Sequence, residues 1–292
     1  MPKAKAKIAV IGGSGFYKIE GLTGIKEVNP TTPFGKPSDT ITIGNLDGTS
    51  IAFLPRHGRG HTIIPTEVPY RANIYALKSL GVERIITVNA VGSFKKELKP
   101  GDLVIPDQII DRTRHRAETF FGGGIVVHIP FADPFCPVLS QILYDAAKKT
   151  KATVHHNGTY LAMEGPAFST RAESRLYRSW GADIIGMTAI PEAKLAREAE
   201  ICYAMIAGVT DYDSWQEKSE VLVVGDIFKT LRQNVDAIKE IIRLAMAAVP
   251  AERDCECASV LSVAIGTSRK HIPAALKKKL DLLLGKYLKG DS

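Results

Sequence analysis

Short runs of β-branched and aliphatic residues alternate with longer helix-periodic stretches along most of this chain. The runs predict buried strands at Ile8–Ile11, Ile51–Leu54, Arg84–Asn89, Leu103–Ile105 and Ile201–Gly208. The longer stretches predict helices at Val68–Leu80, Val138–Lys149, Arg171–Trp180, Pro191–Glu200, Gly225–Ala248 and Ala274–Lys286. This alternation indicates an α/β fold whose parallel or mixed central sheet is flanked by helices. Because such sheets bind ligands beyond the carboxyl ends of their strands, functional residues are expected there.

Composition places the chain among ordinary globular proteins, with 45% hydrophobic and 24% charged residues. We see no repeat, linker or composition break, so residues 1–292 are expected to form one domain, with a basic tail at 1–7 and a helical segment at 250–292. Much of the net charge of +7 lies near the two ends, which is typical of solvated surface rather than nucleic-acid binding. A signal-peptide core and a membrane-length apolar run are both missing, which predicts a cytoplasmic protein without membrane contact.

Four cysteines are present, and their spacing does not resemble a disulfide framework, which favours a reducing compartment. Cys255 and Cys257 are separated by one residue, an unusual spacing. They could be two unrelated thiols, a close-range disulfide, or half of a zinc site. A zinc site would need further ligands, and only His271 follows them in the sequence. The sequence leaves these alternatives open.

Two strand ends carry residues suited to an anion. Gly12-Gly13-Ser14-Gly15 follows the first strand and is either a small anion cradle or a plain turn. The run from Arg56 to His61, which also contains His57 and Arg59, follows the next predicted strand. Because the arginine fork matches phosphate geometry, this run favours anion binding over a solvated basic loop. Arg71, on the following helix, is more typical of a solvated face.

Three further turns are rich in small residues. Asn89-Ala90-Val91-Gly92-Ser93 and Gly186-Met187-Thr188 each suit either close approach of a ligand or a tight turn. Phe168, in the turn before a predicted helix, could stack on a flat base or belong to the core.

Asp211 and Asp213 directly follow the last predicted strand. Two carboxylates here could bind a metal, form an acid–base pair, accept hydrogen bonds from a purine edge, or be solvated loop charges. Anion donors at the other strand ends favour the purine-edge interpretation.

An ordered series of segments carries a resemblance that extends from Ile8 to about Leu231. The segments include GGSGFY, TPFGKPSD, RHGRGHTIIP, NAVGS, EGPAFSTRAES, WGADIIGMTAIPEA and EICYAMIAGVTDYDSW. With them the chain resembles the methylthioadenosine phosphorylase family, within the trimeric purine nucleoside phosphorylase superfamily. The resemblance implies a single-domain nucleoside phosphorylase fold, a nucleoside substrate with inorganic phosphate as co-substrate, and no metal or organic cofactor. It also implies a homotrimer, while heat-stable relatives additionally form hexamers as dimers of trimers.

The resemblance further implies roles for individual residues. Phosphate would contact Ser14, Arg56, His57, Asn89, Ala90 and Thr188, where Asn89 departs from the threonine of the mammalian-type enzyme. The nucleoside would contact Asp211, Asp213, Met187, Phe168 and Gly92. Its 5′ end would meet Val224, Ile227, Phe228, His61 and His128, the last of these either from the same subunit or from a neighbouring one.

The resemblance also implies the choice of base. Relatives specific for 6-oxopurines carry asparagine at the position of Asp211 and glutamate at that of Ser169. A carboxylate acceptor suits the exocyclic amino group of adenine. Asp211 is the candidate proton donor to purine N7, for which its pKa would have to rise through burial or through Asp213; alternatively, it would only stabilise a protonated purine. How strictly adenosine, inosine and guanosine are excluded stays open.

Overall fold

The computed structural model describes residues 5–13, 20–216 and 224–288. Within these residues, eleven strands form one mixed sheet: β1 (Ile8–Gly12), β2 (Thr23–Val28), β3 (Ile41–Leu46), β4 (Thr49–Pro55), β5 (Arg84–Ser93), β6 (Leu103–Ile105), β7 (Gln108–Asp111), β8 (Val154–His156), β9 (Thr159–Ala162), β10 (Ile184–Gly186) and β11 (Cys202–Tyr212). The α-helices of the described residues are α1 (Tyr70–Ser79), α2 (Pro137–Ala147), α3 (Arg171–Ser179), α4 (Ala189–Glu198), α5 (Val224–Ala248), α6 (Ala274–Lys279) and α7 (Asp281–Leu288). The predicted α/β class with a mixed, helix-flanked sheet is confirmed.

The sheet is buried on both faces, because alternate residues of its central strands belong to different hydrophobic clusters. Ile85 of β5 and Met205 of β11 pack into the cluster that contains α1 and α4. Ile86 and Ile206, one position further along, pack into the cluster that contains α2 and α5. Successive side chains point to opposite faces of a strand, so both faces of this sheet need apolar residues. This explains the continuous apolar runs in the sequence.

The five predicted strands are all present, but β11 continues to Tyr212 and therefore includes Asp211. Six strands were not predicted: β2, β3, β7, β8, β9 and β10. The predicted helix Ala274–Lys286 was wrong as a single element, since Leu280 separates α6 from α7 with non-helical backbone angles. Each helix in the described part of the chain is too short or too polar to span a bilayer.

Candidate active site

The carboxyl ends of four strands meet at one edge of the sheet. β1 runs parallel to β4 and β5, and β11 runs parallel to β5. Gly12 lies opposite Pro55, and the backbone N–H of Arg56 donates to the carbonyl oxygen of Gly12 at 3.0 Å. Gly92 of β5 lies opposite Asp211 of β11. This register brings the residues that the sequence placed at separate strand ends onto one edge.

Arg56 is only 3% exposed, and its guanidinium group is held by Glu192. Nε donates to one carboxylate oxygen of Glu192 at 2.8 Å, and Nη2 donates to the other at 2.9 Å. Burial opposes the charge on Arg56, but the Glu192 carboxylate raises the pKa of Arg56 above its ordinary value. Glu192 thus occupies the Nε–Nη2 edge of the guanidinium group, which the sequence predicted would bind phosphate. The Nη1 side, where Nη1 lies 3.4 Å from Val88 O, is the part of the group that remains for an anion.

Asn89 and Thr188 continue the polar chain that begins at Arg56. Oδ1 of Asn89 lies 3.4 Å from Arg56 Nη2, and Nδ2 of Asn89 donates to Thr188 Oγ1 at 2.7 Å. Asn89 and Thr188 are buried, and Ala90, next to Asn89, is half-buried. Three of the predicted phosphate residues therefore form one hydrogen-bonded chain. Ser14 lies outside the described residues.

His57 is held in its neutral form. Its Nδ1–H donates to the carbonyl oxygen of Ile63 at 2.8 Å, and its ring packs 4.4 Å from that of the exposed His61. Burial, and then the charge of Arg56, lower the pKa of His57 to about 4. Because Nδ1 is the donor, Nε2 is left as the acceptor of this ring.

The other two arginines of this region do not join that chain. Arg59 lies on the exposed side of its loop, where Nη2 donates to Glu27 at 2.6 Å and the backbone N–H donates to Asp39 at 2.6 Å. The guanidinium group of Arg71 lies 5.1 Å from the ring centre of Phe34. Of the three arginines considered from sequence, Arg56 is the one at the strand edge.

Asp211 lies beside a β-bulge, where the β11–β5 register shifts between Val209 and Asp211. A bulge bends the strand and re-aims the side chains that follow it. The hydroxyl of Thr210 donates to Asp211 Oδ2 at 2.7 Å. Burial, and to a smaller extent the charge of Asp213, raise the pKa of Asp211 to about 6, although the Thr210 hydrogen bond opposes the shift. The group is thereby brought close to a pKa suited to proton transfer near neutral pH.

Asp213 is more deeply buried than Asp211, at 3% exposure. Ser169 Oγ donates to its Oδ1 at 3.1 Å. Burial raises the pKa of this carboxyl group, while hydrogen bonds from Ser174, Ser169 and the backbone N–H of Ser214 oppose the shift. Ser174 is fully buried, and its hydroxyl and Oδ2 of Asp213 are the two polar groups here that lie just beyond ordinary hydrogen-bond distance of a described partner. The carboxylate is therefore an acceptor surrounded by serine hydroxyls, and its oxygens can also accept a hydrogen bond from a ligand N–H.

Gly92 allows these two carboxylates to lie close to β5. A Cβ atom added at Gly92 would lie 3.1 Å from Asp211 Oδ1, 3.1 Å from Ile185 Cγ2 and 3.3 Å from Asp213 Cβ. We expect Gly92→Ala to displace Asp211 and to lower kcat/KM by about 10-fold or more, since small misplacements near reacting groups are costly. Steady-state kinetics of Gly92→Ala and of the unmodified protein test this. Equal activity of the two proteins would contradict the close approach.

Two buried charged residues of the site were missed from sequence. Glu192 lies in the first turn of α4, where an acidic residue is ordinary, so its role was not evident. Arg116 donates to the carbonyl oxygens of Met187 and Ile190 and to that of Glu164. It therefore holds the half-buried Met187 and its turn in place. No motif signalled Arg116.

The other residues predicted to contact the ligand are not joined by hydrogen bonds to the strand edge. Phe168 is 41% exposed, as a stacking platform would be. Ile227 is half-buried in α5, while the side chains of Val224 and Phe228 lie outside the described part of the structure. The backbone N–H of the exposed His128 donates to Ala264 at 2.8 Å, and this contact runs to the C-terminal segment rather than to the strand edge.

Comparison with known proteins shows which family the chain is similar to. The sequence model described as the Phosphorylase superfamily matches residues 7–247. S-methyl-5′-thioadenosine phosphorylase of Geobacter sulfurreducens is 58% identical over 282 residues, which cover 96% of this chain and 99% of the relative. The enzyme of the same name from Koribacter versatilis is 52% identical over 283 residues, 97% of each chain.

Solved structures agree with these relatives. A methylthioadenosine phosphorylase from an antarctic soil metagenomic library superimposes with a TM-score of 0.91 at 48% identity, covering 97% of this chain and all of the other. A mutant adenosine/methylthioadenosine phosphorylase from Schistosoma mansoni, in complex with methylthioadenosine, has a TM-score of 0.78 at 40% identity, with 85% of this chain and 93% of that chain covered.

Proposed function

This chain belongs to the phosphorylase superfamily, and on that basis we propose that it cleaves S-methyl-5′-thioadenosine with inorganic phosphate. The products are adenine and 5-methylthioribose 1-phosphate, so the enzyme is a pentosyltransferase of purine and methionine salvage. One observation of this chain carries the proposal: two carboxylates with raised pKa share a strand edge with the buried chain of Arg56, Asn89 and Thr188.

The reaction is a displacement at C1′ of the ribose. An oxygen of phosphate forms the new bond to C1′ while the C1′–N9 bond breaks and its electron pair moves into the purine. The sugar carries positive charge in the transition state, and the purine gains negative charge. Asp211 donates its proton to N7, which neutralises the leaving base, a step typically worth about 10²–10⁴-fold in rate. No metal or organic cofactor takes part in this chemical step.

Phosphate binds at the strand edge, beside the Asn89–Thr188 hydrogen bond. Arg56 contributes charge through the edge of its guanidinium group that Glu192 leaves available. Ser14 and the backbone at Ala90 supply further donors. The neutral His57 offers Nε2, an acceptor that suits a protonated phosphate oxygen.

Adenine is recognised by the pair of carboxylates. The buried carboxylate of Asp213 can accept a hydrogen bond from an N–H group of the base in addition to those from its serine neighbours. The hydroxyl of Ser169 donates to Asp213 at 3.1 Å. A glutamate at this position would be larger, and its negative charge would repel Asp213. Phe168 stacks on the purine, and Gly92 and Met187 border it. The methylthio end is enclosed by Val224, Ile227, Phe228 and His61, with His128 contributed by a neighbouring subunit of the trimer.

The pH dependence of activity tests the donor role of Asp211. With a pKa raised to about 6, Asp211 is protonated below this pH and loses its proton above it. We therefore expect kcat/KM to fall by about tenfold per pH unit above pH 6. The fall of kcat should begin at a higher pH than the fall of kcat/KM. Bound purine removes more water from the carboxyl group of Asp211 and so raises its pKa further. His57 stays neutral throughout, since its pKa is lowered to about 4.

The control for this profile is Asp211→Asn assayed with methylthioinosine. In this variant the fall of kcat/KM above pH 6 that is caused by Asp211 should be missing, and the pH dependence that remains should follow the ionisation of phosphate. A kcat/KM that rises through pH 6 and then levels off would assign Asp211 the ionised role instead, in which it only stabilises a protonated purine.

The proposal includes a homotrimer in the cytoplasm. The resemblance to trimeric relatives supports the assembly, and the four free cysteines suit a reducing compartment. Light scattering should give the mass of three chains.

Adenine release tests the function itself. Methylthioadenosine should yield adenine only when phosphate is present. Its kcat/KM should exceed the kcat/KM for cleavage of inosine or guanosine to their own bases. Absence of release would refute the proposal, and release that does not need phosphate would instead indicate a hydrolase.

A further inference from the structure

All four cysteines of the chain meet at one point, although the sequence spacing did not indicate it. Cys136 precedes α2, Cys202 begins β11, and Cys255 and Cys257 flank Glu256 in the C-terminal segment. Their four sulfur atoms all lie within 4.8 Å of one another. Cys202 Sγ and Cys255 Sγ are 3.3 Å apart, and none of the four forms a disulfide.

These distances fit a tetrahedral metal site. Zinc bound by four thiolates has Zn–S bonds of about 2.3 Å, which places the sulfur atoms about 3.8 Å apart. Mutual closeness of all four sulfur atoms is what one central ion requires, whereas disulfides would bring them together only in pairs. His271, the zinc ligand considered from sequence, lies exposed on a separate turn, and the missing ligands come from earlier in the chain.

The surroundings suit a negatively charged metal centre. Cys136, Cys202 and Cys257 are buried, and Cys255 is half-buried. Four thiolates around one divalent ion carry two net negative charges. Arg197 Nη1 donates to Cys257 Sγ at 3.7 Å, and Arg84 and Arg253 line the narrow cavity beside Cys255. Such outer contacts orient the ligands and offset their charge.

We propose that Cys136, Cys202, Cys255 and Cys257 bind one structural zinc ion. The ion ties the C-terminal segment to the first residue of β11, the strand that carries Asp211 at its other end. Arg84 supports the same junction, since Nη2 donates to Pro250 O at 2.8 Å and to Glu252 O at 3.1 Å. Because all four ligands come from the protein, the site has no open position for catalysis. This inference is independent of the proposed function.

The test is the metal content of the full-length protein purified with a thiol reductant and then equilibrated with zinc and dialysed. We expect about one zinc ion per chain, measured by inductively coupled plasma mass spectrometry. A mercurial reagent should release this zinc by binding the thiolates in its place. In a separate sample, denatured with a metal chelator and without mercurial, all four cysteines should become alkylated. Cobalt in place of zinc should give the strong visible bands of a tetrahedral thiolate site. A zinc-free protein after this treatment, or cysteines that resist alkylation as disulfides, would overturn the proposal.

Variants locate the ligands. Cys255→Ser and Cys257→Ser should lower the bound zinc to near zero and lower the Tm. Glu256→Gln is the matched control, because this exposed residue lies between two ligands and supplies none, so its zinc content should stay at about one per chain. Full zinc content in the serine variants would overturn the assignment. Should these variants fail to fold, the zinc content and cobalt spectrum of the unmodified protein still decide the matter.

Discussion

Replacing Asp211 with asparagine should lower kcat/KM for methylthioadenosine by about 10²–10⁴-fold, the usual contribution of a general acid. The same variant should gain activity on methylthioinosine, because the asparagine amide can donate a hydrogen bond to a 6-oxo group, which a carboxylate cannot do. The preference between the two nucleosides should therefore move strongly towards the 6-oxopurine. Initial rates with both substrates, at saturating phosphate, measure this preference.

Asp145→Asn is the matched control for this experiment. Asp145 lies on α2 with 48% of its side chain exposed and pairs with Lys148, so the same chemical change there should leave both rates unaltered. If Asp211→Asn kept the full preference for methylthioadenosine over methylthioinosine, Asp211 would not be the residue that selects the base. Asp213 would then be the remaining carboxylate at that edge.

Replacing Arg56 with lysine should raise the KM for phosphate by about 10- to 100-fold, since a charge-assisted hydrogen bond is worth about 1.5–3 kcal/mol. Lysine keeps the positive charge beside Glu192 but lacks the planar fork that positions the guanidinium group. The KM for methylthioadenosine should change little. Arg56→Ala is the harsher substitution, because it leaves Glu192 as an unpaired buried charge and should cost about 3–5 kcal/mol of unfolding free energy.

Arg59→Lys is the control for the phosphate experiment. Arg59 belongs to the same loop, but its contacts with Glu27 and Asp39 lie on the exposed side. We expect the KM for phosphate to be unchanged in this variant. Equal increases in the KM for phosphate and the KM for nucleoside in Arg56→Lys would argue against a specific phosphate role for Arg56.

The sequence predicted the strands whose apolar runs are continuous, such as Ile8–Ile11 in β1, because burial on both faces leaves a clear pattern. It did not predict β2, whose residues Thr23–Val28 are largely exposed and carry no such pattern. β7, β8, β9 and β10 are only three or four residues long and include polar or small residues, whereas the equally short β6 is entirely apolar and was predicted.

The sequence also predicted which polar groups would meet, since parallel strands bring their carboxyl ends to one edge. Gly12 and Pro55 end the parallel strands β1 and β4 and lie opposite each other. The hydrogen bond between Asn89 and Thr188 has another origin, because β10, which precedes Thr188, runs antiparallel to β5. What it could not predict are the contacts that depend on tertiary packing. Glu192 looks like a helix-start residue until Arg56 is placed against it, and the bulge before Asp211 leaves no mark in the sequence.

The cysteines illustrate the same limit over longer separations. Cys136 and Cys202 lie far from the Cys255–Cys257 pair in the sequence, so spacing alone gave no ligand set. Only the packing of α2, β11 and the C-terminal segment brings the four sulfur atoms together.

Phosphorus NMR of the reaction mixture distinguishes phosphorolysis from hydrolysis. With methylthioadenosine and phosphate, we expect a new pentose 1-phosphate signal that grows in step with free adenine, while inorganic phosphate falls by the same amount. Adenine that appears together with free methylthioribose, without any sugar phosphate, would show that the enzyme is not a phosphorylase.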